Sequence, residues 1–214
     1  MSKALFVVTC LILSATSLHA QSKLGFSTGI AFDLNNSGKF KQIPFSLQWT
    51  TSATKTGSFI IKADYSIPAA GSSRDSAFTL ATGLPPAIAV ERKIRNTSFS
   101  LLFGYRFILK TNSENNKVFI DFLPIGFSSQ SFKVSYENYN NDDYEVINPD
   151  VNVKREGLVA SVGVCYTLKD FVFQVHAQTP ILTVASKDYN VSYHSAAPLQ
   201  LMIGYMFNLG KQKK

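Results

Sequence analysis

Five ionisable side chains fall where they would meet each other: Lys62, Asp64, Arg106, Asp121 and His176. Counted outward from the midpoint of the polar stretch 110–117, Arg106 and Asp121 are equidistant, so a hairpin turning there sets them face to face. Lys62 and Asp64 are two apart and share one side of an extended chain. Two cations and two carboxylates so arranged suit either of two roles. One is a salt-bridge gate that opens a narrow conduit. The other is a permanent polar core whose buried charges satisfy one another. His176, flanked at two residues' distance by Gln174 and Gln178, points the same way with Cys165 nearby. A thiol and an imidazole together suggest a soft metal site or an activated nucleophile, yet the sequence offers no third ligand or orienting acid at a recognisable spacing. A packed polar core accounts for them better, so no catalytic residue, metal or cofactor is assigned.

What would position these groups is a chain that alternates. The end of the sequence shows it most clearly: Leu199, Leu201, Ile203, Tyr205, Phe207 and Leu209 occupy every second place. Seven further segments repeat the pattern, at 23–34, 43–50, 58–67, 99–109, 118–123 with a continuation toward Phe127, 158–168 and 171–181. In every segment one parity is bulky and apolar and carries no charge. The other parity holds Gly, Ser, Ala, Gln and Thr together with Asp33, Lys62, Asp64, Arg106 and Asp121. The composition agrees with extended structure, since aromatics make up 13%, charged residues only 16%, and Phe alone numbers 17.

A sandwich or a lipocalin-like barrel would turn the apolar parity inward. An eight-stranded barrel has an interior just wide enough for side chains to fill it, which suits the small, polar parity. The bulky parity then faces out into lipid, where a mid-depth Lys or Arg costs ~2–4 kcal/mol and is absent. The expected fold is therefore all-β, an eight-stranded antiparallel up-and-down transmembrane β-barrel. Short turns at 51–57, 110–117 and 169–170 alternate with outer connections at 35–42, 68–98, 124–157 and 182–198, three of them long. That asymmetry places both termini in the periplasm of a bacterial outer membrane. Trp49, Tyr105, Phe107, Tyr166, Phe171, Phe173, Tyr205 and Phe207 gather at the expected periplasmic ends, the depth of an aromatic girdle.

Residues 1–20 are read apart from the fold. A basic start with Lys3, the apolar run "ALFVVTCLIL" and the small-residue stretch ending at Ala20 make a cleaved signal peptide, leaving 21–214 as the barrel domain. Cys10 lies within that run, so the exported chain keeps only Cys165 and has no internal disulfide. The net charge of +7 is scattered and forms no nucleic-acid-binding patch.

The end "MIGYMFNL" resembles the signal read by the outer-membrane assembly machinery, with Gly204, Phe207 and Leu209 on its pattern. Met202 replaces the usual polar first residue, Leu209 a terminal Phe, and "GKQKK" follows. The whole of 21–214 resembles the small outer-membrane β-barrel proteins, the OmpA transmembrane-domain and OmpX-like group within the broad porin-like family. That resemblance implies a non-enzymatic envelope protein with a structural or surface-binding role. Its expected partners are outer-membrane lipid, the assembly machinery during biogenesis, and an extracellular or envelope protein. A gated conduit for small or hydrophobic solutes is the alternative. "SYHS" (192–195) invites comparison with outer-membrane lipid A deacylases, but their spacing of His and Ser is not reproduced. The acidic, aromatic stretch 136–150 and the basic residues Arg74, Arg92, Lys93 and Arg95 are read as solvated outer loops, or as contacts for a ligand, calcium or a host surface.

Overall fold

In a computed structural model, the residues described are 22–33, 41–54, 56–68, 71–113, 116–146, 151–185 and 198–209. Ten strands form one antiparallel sheet: β1 (Ser22–Asp33), β2 (Lys41–Thr54), β3 (Gly57–Pro68), β4 (Gly71–Thr79), β5 (Ala87–Ser113), β6 (Asn116–Glu137), β7 (Tyr144–Val146), β8 (Val151–Leu168), β9 (Phe171–Ala185) and β10 (Pro198–Asn208). The sheet closes on itself through the order β3-β2-β1-β10-β9-β8-β6-β5 and a further pairing of β5 with β3. Eight strands thus make the barrel, and β4 and β7 hang on as an annex beside the outer half of β5. The seam is long: β1 and β10 pair from Lys23 with Asn208 to Asp33 with Pro198. Closure leaves the wall no free edge, the condition for backbone to exist in lipid.

The barrel is inside out relative to a soluble protein. Phe26, Leu47, Phe59, Phe103, Phe122, Val164, Phe173 and Ile203 face outward and are exposed, while Gln48, Lys62, Arg106, Asp121, Gln174 and His176 are buried inside. Strand geometry compels this, because neighbouring residues point to opposite faces and a closed wall has only an inside and an outside. The lumen is not purely polar. Ile60, Leu102, Leu123 and Val159 pack into an apolar wedge on one side of it, and Val172 and Met206 pack with Cys165 farther down.

Several register shifts adjust the wall, and two of the places where they fall are beside a proline. Between Phe103 and Tyr105 of β5 the register slips against β6, and Pro124 and Ile125 are both exposed. The bulge presses the Phe122 carbonyl to within 2.0 Å of where a Cβ on Gly104 would sit, so only glycine fits there. The second lies where β8 passes from Leu158 to Val159 opposite Pro180. Proline lacks the N–H that a regular ladder needs, so pairing breaks where it stands. At Pro44, where the β1–β2 ladder lapses, the Thr28 hydroxyl donates to the proline carbonyl at 3.0 Å.

Two expectations need correction. The stretches 68–98 and 124–157 are not chiefly loops: β5 begins at Ala87, β6 runs to Glu137, β8 starts at Val151, and β4 and β7 fill much of the remainder. Above the apolar belt both faces meet water, so alternation fades from the sequence while the ladder continues. The turns at 51–57 and 110–117 are also tighter, because strands run to Thr54 and from Gly57, and to Ser113 and from Asn116. The signal peptide, the 182–198 connection beyond Ala185 and "SYHS" lie outside the described residues, as does most of 35–42.

Candidate functional site

Position in the ladder assembles the inner cluster. Arg106 pairs with Asp121 across β5 and β6 as expected. Counting from the observed turn, Ser113 opposite Asn116, would set it against Leu123, and two register shifts near the turn make up the difference. Asp121 pairs with Gly163, Gly163 with His176, and His176 with Gln200. These residues form one row around half the lumen. Gly163 lies between Asp121 and His176, and a Cβ there would sit 2.4 Å from the imidazole Nδ1. Its missing side chain lets the His176 ring fold over the wall toward the carboxylate.

Asp121 is the centre of the cluster. Arg106 donates to it twice, Nε to Oδ1 at 2.6 Å and Nη2 to Oδ2 at 2.7 Å, the bidentate geometry that suits a guanidinium. The Cys165 thiol reaches Oδ2 at 3.1 Å and His176 Nε2 lies 3.4 Å from the same oxygen. Arg106 Nη2 also donates to Gln48 Oε1 at 3.1 Å, and the guanidinium lies 5.2 Å from the Phe119 ring centroid. Every member is buried.

Lys62 and Asp64 form a second island. Lys62 Nζ donates to Asp64 Oδ2 at 2.9 Å and to Gln200 Oε1 at 3.3 Å. The second bond joins β3 to β10, strands kept apart in the wall by β2 and β1, so the lysine bridges the lumen. The expected single network is therefore two ion pairs. Gln48 and Gln200, which join them to other strands, carry the inward parity but no charge, and only the fold reveals their partners. The Asp33 side chain lies outside the described part.

Asp121, Cys165 and His176 offer three ligand atoms, all within 4.8 Å of one another. This supplies the third group that the sequence did not reveal. The fit to a metal ion is poor, because both carboxylate oxygens are engaged by Arg106, and a cation there would have to displace a guanidinium. A thiol–imidazole–carboxylate relay is not wired either. Such a relay needs thiol and acid on different ring nitrogens, whereas here both approach Nε2, and Nδ1 has no partner among the described residues. The arrangement balances two cations with two anions and packs the lumen.

The three residues that match the assembly-signal pattern, Gly204, Phe207 and Leu209, lie on β10 and at its end. Phe207 and Leu209 face outward and are exposed, while Gly204 stands opposite Ser27, where a Cβ would come within 2.2 Å of the Phe26 carbonyl.

No protein-family model and no curated protein matches the chain. Among solved structures it is similar to Ail, the attachment invasion locus protein of Yersinia pestis, in complex with the heparin analogue sucrose octasulfate; the identity is 13%, the coverage 88% of this chain and 97% of that one, and the TM-score 0.43. It is also similar to Neisserial surface protein A at 10% identity, 88% and 96% coverage and a TM-score of 0.39. The N-terminal β-barrel domain of Pseudomonas aeruginosa OprF gives 9% identity, 88% and 99% coverage and a TM-score of 0.39. Likenesses this distant carry no argument about function, which rests on the geometry above.

Proposed function

We propose that the chain is an integral outer-membrane barrel with a plugged, structural lumen, and that its outer sheet carries the biological role by surface contact rather than by catalysis. The observation behind this reading is the pairing of two inversions: a closed wall with an exposed aromatic and aliphatic exterior, and ion pairs buried inside it. Water as the outer solvent would leave that exterior costing ~25 cal/mol per Å² of apolar surface, whereas lipid removes the cost. In this reading both termini face the periplasm, and Gly204, Phe207 and Leu209 are recognised by the assembly machinery.

The outer sheet suits contact with a partner. The carbonyl of Asp143 accepts from the Leu80 amide, tying the 138–143 turn to the end of β4. Ala77, Val90, Tyr144 and Val146 form a small core of its own. Beyond it, Phe78, Leu80 and Leu84 are exposed. They lie about 40 Å along the strand from Phe99, at ~3.4 Å per residue, far past the belt. Apolar side chains this remote from lipid fit an extracellular or envelope protein. Envelope fractionation and gel electrophoresis with and without boiling test the membrane reading. An outer-membrane band that migrates faster unboiled supports it; a soluble protein with no shift overturns it.

The buried charges also admit the conduit reading. Single-channel conductance that appears or grows on Arg106→Ala would favour a gate over a plug.

A further inference from the structure

We infer that the outward face of the sheet just beyond the apolar belt is a binding site for the phosphate groups of an outer-leaflet glycolipid, an inference that rests on the membrane reading above. On β5 the apolar exterior ends at Phe99, and the same face continues through Thr97 to Arg95. On β6 it continues from Phe127 through Ser129 and Ser131 to Lys133, and on β8 from Leu158 through Glu156 to Lys154. The register sets Arg95 opposite Lys133, and Lys154 opposite Ser131, diagonal to Lys133. No register shift intervenes, so the three cations share the face that meets lipid below, and all three are exposed.

The arrangement is unfavourable without an anion. Directly opposed residues on neighbouring strands have Cβ atoms about 5 Å apart, and like charges there repel. Among the described residues no carboxylate forms an ion pair with Arg95 or Lys133, whereas Lys154 holds Glu156 at 2.8 Å and Lys93, farther out, holds Glu137. A phosphate between the opposed pair turns repulsion into two charge-assisted contacts, with the arginine fork suited to two of its oxygens. Depth selects the source. Four tilted residues raise Arg95 about 10 Å above Phe99, and long side chains reach back toward the headgroup layer. Acyl chains against Phe99, Phe127 and Leu158 with phosphate directly above is the order of groups in a phosphorylated glycolipid; a soluble polyanion has no use for the apolar part.

The test measures binding of diphosphoryl lipid A, of its fully dephosphorylated counterpart and of inositol hexakisphosphate to the full chain in detergent micelles, by native mass spectrometry. The parent should prefer the diphosphoryl lipid by tenfold or more, about tenfold being the loss per charge-assisted contact removed. Arg95→Gln with Lys133→Gln should abolish the preference, and Lys169→Gln at the opposite end should keep it. Equal binding of the two lipids, a preference that survives in the double variant, or displacement of the lipid by inositol hexakisphosphate at equal concentration would each overturn the assignment. Gel mobility of the same samples before boiling separates the two levels. A parent with no shift sinks the membrane reading as well, while a normal shift without phosphate preference sinks the lipid site alone.

Discussion

Replacing Asp121 with alanine removes the acceptor for two guanidinium bonds, a thiol and an imidazole, and leaves Arg106 buried beside Gln48 with no countercharge. Breaking one side of a buried pair costs ~3–5 kcal/mol, because the remaining charge keeps its desolvation penalty without its partner. Removing both charges is a different operation. In Arg106→Met with Asp121→Leu no ion is stranded, and the remaining loss is the acceptor of Cys165 and His176, about 1–2 kcal/mol. The double variant should therefore be more stable than Asp121→Ala alone, with a coupling of ~2 kcal/mol or more. Trp49, the chain's single tryptophan, lies on β2 and reports unfolding by fluorescence in urea after refolding into vesicles. At a slope of about 2 kcal/mol per molar, Asp121→Ala lowers the midpoint by roughly 2 M. A single variant within about 1 kcal/mol of the parent would refute the reasoning. Arg106 would then be hydrated rather than buried, and the conduit reading would gain what the plug loses.

Gly163→Ala should cost ~1–3 kcal/mol in the same assay, since its methyl group occupies space held by the His176 ring, and His176→Ala in that background should recover part of the loss. Val164→Lys, on the lipid face at the barrel's middle, should destabilise by ~2–4 kcal/mol, whereas Ser129→Lys, opposite Phe99 at the belt's edge, should cost at most ~1 kcal/mol; equal effects would place the belt elsewhere. At the rim, the Glu137 carboxylate raises the Lys93 ammonium above its ordinary value of 10.5. A raised folded-state value means the contact contributes below the unfolded value and is lost as pH rises through the folded one. Selectively labelled Lys93 should thus titrate at lower pH in Glu137→Gln than in the parent, by NMR, with stability at neutral pH falling only slightly because solvent screens a pair at the rim.

What the sequence disclosed follows from which physical signals survive in one dimension. A wall with lipid on one side and a crowded lumen on the other forces a period of two, so Leu199 to Leu209 announced both β10 and its outward face. Counting from 110–117 sets Arg106 opposite Asp121, and the structure has that pair because two register shifts near the turn offset a turn that lies one residue farther along. Contacts across the lumen left no such trace. Lys62 reaches Gln200 and Arg106 reaches Gln48 only because the sheet closes, and closure depends on shear that no local pattern records. Cys165 and His176 were placed inward correctly, yet their meeting with Asp121 needed the row through Gly163. The outer half of β5 leaves no trace in the sequence for a different reason: with water on both faces, Arg92 to Asn96 shows no alternation to read.

The continuity of β5 bears on how the outer sheet works. One strand of 27 residues carries Arg106 in the lumen, Phe103 in the belt, Arg95 above it and Ile88 in the annex core. No linker separates these levels, so the exposed tip inherits its orientation from the barrel through a ladder with β6 that runs from Phe103 to Glu91 without a register shift, and beyond it through the pairing with β4. Phe78, Leu80 and Leu84 are consequently held at a fixed height and azimuth rather than on a tether. A partner that docks there meets a surface whose ordering entropy was lost when the barrel folded, so binding need not supply it. The buried ion pairs fit the same logic. Arg106 and Asp121 tie β5 to β6 at the base of the longest hairpin, where a slip of register would strand both charges and turn every belt residue on one strand inward. Their contribution is to fix which residues stand opposite each other below the bulge, and the bulge at Gly104 and Pro124 then shifts the register by one residue to set Arg95 against Lys133 above the belt.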